Sequence, residues 1–231
     1  MKEYFFPKLI TSKAKIKYLK KNGVVIGKGT FLFNAGSILI DASRPELLEI
    51  GEYCKITGGV TILTHDYSRS VLRRVYGEII AEAKKTVIGN NVFIGINSII
   101  LMGTIIGDNS IVGAGSVCSG KYPANSVIAG NPARVIMSLE DYYNKRKEQT
   151  IKEAINYAKI LYDKNGKIPT IEKMGAFFPQ YLKRNKEELK INNLKTNLSG
   201  DDENEIIEFF LNSNGIYKSY DDFIKKILEK E

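Results

Sequence analysis

The sequence predicts a mainly β fold: a parallel solenoid of three-sided coils followed by a C-terminal α-helical region. Three observations predict it. Ile88, Ile94, Ile100, Ile106 and Val112 recur every six residues, with Cys118 in the next place. Ile26, Leu32, Ile38 and then Ile50, Ile56, Ile62 repeat that spacing on a second register. After Met137 the spacing of apolar residues becomes helical. Six is a multiple of the strand period of two and not of the helical 3.6, so the ladder is made of strands.

The elements follow in chain order. Lys13, Lys15, Lys17, Lys20 and Lys21 crowd the start of the first register. Continuing that register would place Arg44 inside the coil, where an unpaired guanidinium would cost several kcal/mol. Pro45 beside it points to a local excursion instead. Ile62 to Ile88 spans 26 residues, two more than four repeats, so the polar, basic segment 66–86 is expected to leave the coil as a protruding loop. The strongest repeats come next, Ile88-Gly89-Asn90-Asn91-Val92-Phe93 and Ile106-Gly107-Asp108-Asn109-Ser110-Ile111 among them. The aliphatic residue points inward, Gly, Asn and Asp accept the corner conformations, and the small fifth residue avoids crowding between stacked coils. A closing phrase runs from Tyr122 through Asn131-Pro132-Ala133-Arg134 to Ile136. Beyond it, Ile151, Ala154, Ile155, Ala158 and Leu161 share one helical face, and Ile206, Phe209, Phe210 and Phe223, Ile224, Ile227 mark two further helices. Asn165-Gly166 and Ser199-Gly200 separate them. Two domains are expected, 1–137 and 138–231, the second packed on the first or on a neighbouring subunit.

Bulk properties narrow the function classes. The chain has 231 residues, 43% of them hydrophobic and 26% charged, as in a soluble globular protein. No apolar stretch approaches the roughly 20 residues a membrane-spanning helix needs, and the lysine-dotted start lacks the apolar core of a secretory signal, so a cytoplasmic location is expected. Cys54 and Cys118 lie within repeats and read as reduced packing residues. The net charge of +8 belongs to the first part of the chain: residues 1–137 hold 17 Lys+Arg against 9 Asp+Glu, the remainder 17 against 17. Arg69, Arg73, Arg74, Lys84 and Lys85 crowd the loop. Such clusters attract phosphate, acidic sugars, anionic lipid or nucleic acid. With no recognisable nucleic-acid module, binding to nucleic acid is not expected, whereas peripheral contact with a membrane or with glycan-assembly proteins is compatible with this surface.

The repeats and the closing phrase resemble the hexapeptide-repeat acyltransferases, over residues 24–136. The resemblance implies a left-handed parallel β-helix. Handedness comes from the resemblance alone, because the usual crossover rule is right-handed. The single histidine, His65, stands in Thr64-His65-Asp66 where the first register ends, and this phrase is similar to the segment carrying the catalytic base of sugar and polysaccharide O-acetyltransferases of that family. A base is needed because an acceptor hydroxyl is a poor nucleophile toward a thioester until its proton is removed. Imidazole is the side chain suited to that task near neutral pH. Asp66 is an unfavourable partner for His65, since neighbours on an extended chain point to opposite sides. A backbone carbonyl or a carboxylate from elsewhere suits it better. Taken alone, a lone histidine is more often a structural residue.

By the same resemblance, acetyl-CoA is the cosubstrate, with direct transfer and no nucleophilic cysteine or serine. Ile96, Gly103 and Ala114 would follow its pantetheine arm, Ser119, Gly120 and Lys121 its phosphates, and Arg134 its nucleotide. Gly103 also offers an N–H for the oxyanion, although Met102 stands where the family commonly has proline. Lys121 supplies the charge that relatives carry in a Thr-Lys pair at Ser119-Gly120. Asn34, Asp41 and Tyr67, with Arg69, would face the acceptor, a carbohydrate. Ordinary turn and surface duty is the plainer reading for each of these residues. The resemblance further implies a homotrimer with the site between subunits. The function expected is acetyl-CoA-dependent O-acetylation of a sugar or surface-polysaccharide precursor, in polysaccharide biosynthesis. Acetylation of an antibiotic or other xenobiotic, acetylation of an amino sugar, and a non-catalytic scaffold are the alternatives. No metal is expected: a solenoid zinc enzyme of the γ-carbonic anhydrase kind takes three histidines, and this chain has one.

Overall fold

Strands of two or three residues ending on an inward aliphatic side chain are the building block of this structure, a computed structural model that describes residues 10–192, 194 and 199–228. The strands fall into three sheets visited in rotation. The first sheet contains Val25–Ile26, Leu48–Ile50, Thr86–Ile88, Ile105–Ile106 and Lys121–Tyr122. The second contains Phe31–Leu32, Lys55–Ile56, Phe93–Ile94, Ile111–Val112 and Ser126–Gly130. The third contains Leu39–Ile40, Thr61–Ile62, Ile99–Ile100 and Val117–Cys118. Each strand pairs in parallel with the strand one circuit later, as in Ile88↔Ile106, Ile94↔Val112 and Ile100↔Cys118. A last strand, Ala133–Ser138, runs antiparallel to Ser126–Gly130 and ends the parallel addition.

The six-residue period has two steric causes beyond the inward aliphatic. Where glycine follows it, as at Gly89, Gly95 and Gly107, the next circuit lies directly against the backbone: a Cβ on Gly95 would sit 2.5 Å from the Ala114 nitrogen and 2.8 Å from its Cα. Two places later the backbone is left-handed, at Asn91 (φ 52°), Asn97 (φ 59°), Asn109 (φ 54°) and Gly115 (φ 67°). Asn and Gly tolerate that conformation best. The small fifth residue does more than avoid crowding. Ser98 Oγ donates to the Gly113 carbonyl at 2.9 Å and Thr104 Oγ1 to the Cys118 carbonyl at 3.0 Å, stitching one circuit to the next. The buried ladder is almost wholly dry, and each isoleucine in it contributes about 1.5–3 kcal/mol by leaving water. Cys54 and Cys118 are buried free thiols within it, and burial pushes the Cys118 thiol up to about 11.

Two departures from the ladder occur where the sequence places them. A 3₁₀ turn at Pro45–Leu47 carries the chain past Arg44, whose guanidinium donates to the Glu82 carbonyl at 3.4 Å outside the buried ladder. Ile50, Ile56 and Ile62 align with Ile88, Ile94 and Ile100, so the segment between Ile62 and Thr86 is looped out. The early register needs correcting. A 3₁₀ turn at Ala35–Ser37 shifts it by two residues, so Ile40 and not Ile38 pairs with Ile62, while Ile38 stays buried on the turn.

The lysine-rich start forms helix α1 (Ser12–Lys21), N-capped by Thr11. Its buried face carries Ser12, Lys15 and Leu19. Lys15 Nζ donates to the carbonyls of Ala35 and Ile38, fixing the 3₁₀ turn, and burial lowers its amine to about 8. Helix α2 (Arg69–Tyr76) lies in the looped-out arm and buries none of its side chains.

The chain forms two compact units, Met1–Tyr142 and Tyr143–Glu231, with the division falling in the first turn of helix α3 (Leu139–Asn165). The second unit continues with α4 (Ile171–Met174), α5 (Lys186–Ile191), α6 (Glu203–Asn212) and α7 (Tyr220–Leu228). Its core joins Ala154 and Ala158 to Met174, Tyr181, Phe223, Ile224 and Ile227. Phe210 packs in a smaller cluster with Leu182 and Leu189, but Phe209 is exposed. Among the described residues no helix is long and apolar enough to cross a membrane.

Candidate active site

His65 follows the strand Thr61–Ile62 at the edge where the third sheet turns toward the first. Leu63 N donates to the Ile100 carbonyl and Lys84 N to the Thr64 carbonyl, holding the backbone on both sides of the imidazole's attachment. His65 itself forms an antiparallel bridge with Ala83 on the returning limb of the arm. The ring therefore sits at the foot of the arm on fixed backbone, with its side chain 28% exposed.

The partner of the ring is Asp41. His65 Nδ1 lies 2.7 Å from Asp41 Oδ2, and the Asp41 side chain is only 8% exposed. Asp41 follows Leu39–Ile40, one circuit before His65 on the same edge. Thr64 N donates to the same oxygen at 3.1 Å, as does the Thr64 hydroxyl. Ser43 N and Ser43 Oγ donate to Oδ1 at 3.1 and 2.7 Å. Burial alone would raise the Asp41 carboxyl, but the hydrogen bonds from Thr64, Ser43 and His65 outweigh it and hold the group well below the ordinary carboxylate range. An ionised carboxylate only accepts, so Nδ1 carries a proton, and in the neutral ring the lone pair is on Nε2.

This arrangement corrects the expectation for Asp41. Both oxygens accept hydrogen bonds from the protein and the side chain is largely buried against His65, so the geometry ties Asp41 to the imidazole and not to an open acceptor surface. Asp66, next to the histidine, turns away: its Oδ1 accepts from Ser68 N and Ser68 Oγ at the start of α2. Gly103 also differs from expectation. Its N–H donates to Thr86 Oγ1 at 3.2 Å, and that hydroxyl donates to the Leu63 carbonyl at 2.7 Å, so in this structure the amide is tied to the His65 segment.

The remaining expected residues divide between two edges of the three-sheet unit. Asp41, His65, Gly103, Ser119 and Gly120 stack along the edge after the third sheet, with Lys121 on the adjoining strand. Asn34, Ile96 and Ala114 stack along the other edge, after the second sheet. Ile96 is 54% exposed, and its carbonyl accepts from Gly115 N. Asn34 is an exposed turn residue at φ 50° whose carbonyl accepts from Ser37. Arg134 lies exposed on the closing antiparallel strand, its guanidinium donating to the Ala133 carbonyl. Tyr67 is exposed beneath Arg69, the guanidinium 4.5 Å from the ring centroid. Among the described residues no cluster of His, Cys, Asp or Glu could hold a metal ion. Ser43 and Thr64 are the functional neighbours that sequence reasoning missed. Ser43 and Asp41 stand 22 and 24 residues before His65, a separation lengthened by the turns at Ala35–Ser37 and Pro45–Leu47 and so not readable from the six-residue period.

Residues 85–120 match the family described as bacterial transferase hexapeptide (six repeats). Over 173 residues the chain is 40% identical to a Staphylococcus aureus protein named CapG, spanning 75% of this chain and 96% of that one. It is 51% identical over 55 residues, 24% of this chain and 28% of the relative, to an Escherichia coli K12 protein named for lipopolysaccharide biosynthesis O-acetyl transfer, WbbJ. Among solved structures, a hexapeptide-repeat-containing acetyltransferase from Vibrio cholerae is 31% identical, with a TM-score of 0.43, over 51% of this chain and 63% of that one.

Proposed function

The chain belongs to the hexapeptide-repeat acyltransferases, and from that premise we propose that it transfers an acetyl group from acetyl-CoA to a hydroxyl of a sugar or surface-polysaccharide precursor, with His65 as general base. The observation that carries the reading is the His65–Asp41 pair, 2.7 Å apart on fixed backbone, which leaves Nε2 as the one ring nitrogen able to take a proton.

In the proposed reaction the acceptor hydroxyl hydrogen-bonds to Nε2. As its oxygen attacks the thioester carbonyl carbon, the proton moves to Nε2 and the imidazolium is stabilised by the Asp41 carboxylate. The carbon–sulfur bond then breaks, and the same proton passes from Nε2 to the departing thiolate. The acetyl ester and the free thiol leave a neutral ring behind. Gly103 acts on this chemistry through the Thr86 brace. Exposed Ile96 and Ala114 suit the apolar arm of the coenzyme, and Ser119, Gly120, Lys121 and Arg134 suit its phosphates and nucleotide.

The reading takes the three rotating sheets as a left-handed β-helix, residues 138–231 as its helical appendage, and the active assembly as a cytoplasmic homotrimer. Supporting the assembly, the expected coenzyme residues stand on two separate edges, so one chain alone does not enclose a thioester between them. The exposed Val71, Val75 and Tyr76 of α2 and Ile79 and Ile80 beyond it also call for a covering surface. The word lipopolysaccharide in the name of the WbbJ relative supports a carbohydrate acceptor.

The test is His65→Ala. The variant is expected to bind acetyl-CoA as the parent does and to lose at least about 100-fold in transfer rate, the scale of a missing general base. Equal rates in an acetyl-transfer assay would remove His65 from the reaction.

A further inference from the structure

The arm beside His65 carries charge that no ion pair among the described residues answers. Helix α2 begins four residues after His65 and contains Arg69, Arg73 and Arg74 with no carboxylate. None of the three forms an ion pair among the described residues, whereas the other cations near the foot of the arm are occupied. Lys84 pairs with Glu82, Lys85 with Glu49 at 2.6 Å, and Arg44 donates to a carbonyl. Of the acids there, Asp41 holds His65, Asp66 accepts from Ser68 and Glu82 holds Lys84, while exposed Glu78 beyond the helix forms no ion pair with the three arginines among the described residues.

The helix sorts its residues by face. At 100° per residue Arg69, Ser70, Arg73 and Arg74 fall on one side, and Val71, Leu72, Val75 and Tyr76 on the other. Arg69 and Arg73 lie about one turn apart, about 6 Å along the axis. Arg69 is held over the Tyr67 ring, which limits its motion and leaves its N–H edges outward. Guanidinium groups with edges free and no counter-ion are the usual receptor for phosphate, which they bind through paired hydrogen bonds.

Coenzyme phosphates are the less suitable occupant, because the residues proposed for them, Ser119 to Lys121, lie two circuits further along the same edge. Resting on the acetyl-transfer reading, we infer that the acceptor sugar carries a phosphate or diphosphate, which Arg69 and Arg73 bind while the sugar hydroxyl reaches His65. Tyr67 sets the first guanidinium and offers its exposed edge to the sugar.

Calorimetric titration of the full chain with N-acetylglucosamine, N-acetylglucosamine 1-phosphate and UDP-N-acetylglucosamine tests this. The phosphorylated sugars are expected to bind at least about 10-fold more tightly than the free sugar, with the margin shrinking as salt rises. The Arg69→Ala/Arg73→Ala variant is expected to erase that margin and leave acetyl-CoA affinity within about 2-fold, since both side chains are on the exposed arm. A preference for the diphosphate probe over the monophosphate identifies a glycosyl diphosphate as the form taken. Equal binding of free and phosphorylated sugar, no binding of any probe, or weakened acetyl-CoA binding in the variant would overturn the inference. Thiol release with each probe separates the two ideas. Transfer that is equal for neutral and phosphorylated sugars sinks the anion site alone, and tight phosphate-dependent binding without release from any probe sinks the acetyl-transfer reading.

Discussion

Asp41 accepts five hydrogen bonds, from Ser43 N, Ser43 Oγ, Thr64 N, Thr64 Oγ1 and His65 Nδ1, and is the residue on which the imidazole's tautomer depends. Replacing it with asparagine brings an amide N–H₂ among donors, so at least one contact becomes donor against donor. Asp41→Asn is expected to lower kcat roughly 100- to 1,000-fold while KM for acetyl-CoA changes less than about 3-fold, the split of a positioning residue. An equal rise in KM with kcat unchanged would return Asp41 to the binding role. The carboxyl's position also sets a pH signature. Its folded value lies below the ordinary 3.8, so its stabilisation is fully present above the unfolded value and is lost as pH falls toward the folded one. In urea titrations the stability gap between parent and Asp41→Asn is therefore expected to narrow as pH drops from about 5 to 3. A gap independent of pH would mean the hydrogen bonds do not favour the ionised form.

At the scale of the element, the glycine that follows the inward aliphatic at Gly89, Gly95 and Gly107 and the left-handed residue two places later obey different constraints. Gly95→Ala puts a methyl 2.5 Å from the Ala114 backbone nitrogen, and backbone cannot swing aside. Gly115→Ala meets nothing within 4 Å and bears only the strain of φ 67°. The first change is expected to destabilise by about 3 kcal/mol or more, the second by about 1 kcal/mol. Chemical denaturation of both variants checks the order, and equal losses would mean that the circuits separate more easily than their spacing indicates. The sequence displays these constraints directly, because close packing of circuits repeats the same residue class every six positions. That is why the ladder, the excursion at Arg44 and the arm after His65 were legible. The two-residue shift at Ala35–Ser37 was not, since Ile38 and Ile40 are chemically alike and the choice is made by Lys15 reaching over from α1. The pairing of Asp41 with His65 is hidden for a related reason: its contacts to Thr64 and His65 join residues 23 and 24 positions apart, which no local pattern records. In the second unit the stripe from Ile151 to Leu161 is visible, and Ile206, Phe209 and Phe210 mark a helix, although its packed face is Ile207, Phe210 and Leu211 and Phe209 is exposed.

Taken as a whole molecule, the distribution of the site over two edges makes the proposed assembly testable without a structure of it. His65 is on the edge after the third sheet, Ala114 on the edge after the second. If each cleft takes the first edge from one protomer and the second from its neighbour, a chain damaged only at His65 and a chain damaged only at Ala114 can repair each other. Ala114 is exposed, so Ala114→Trp adds bulk to the coenzyme edge without entering the buried ladder. Each variant alone is expected to be inactive. Unfolding and refolding them together in equal amounts distributes both chains at random through a closed trimer, where about one cleft in four pairs an intact His65 with an intact neighbour. Recovery of about 25% of parental activity per site follows from that geometry. Mixing the folded variants without exchange supplies the baseline, and sedimentation should find three copies of the 25.9 kDa chain in both preparations. A site completed within one chain gives no recovery under any mixing scheme, because every cleft then inherits the lesion of the chain that forms it.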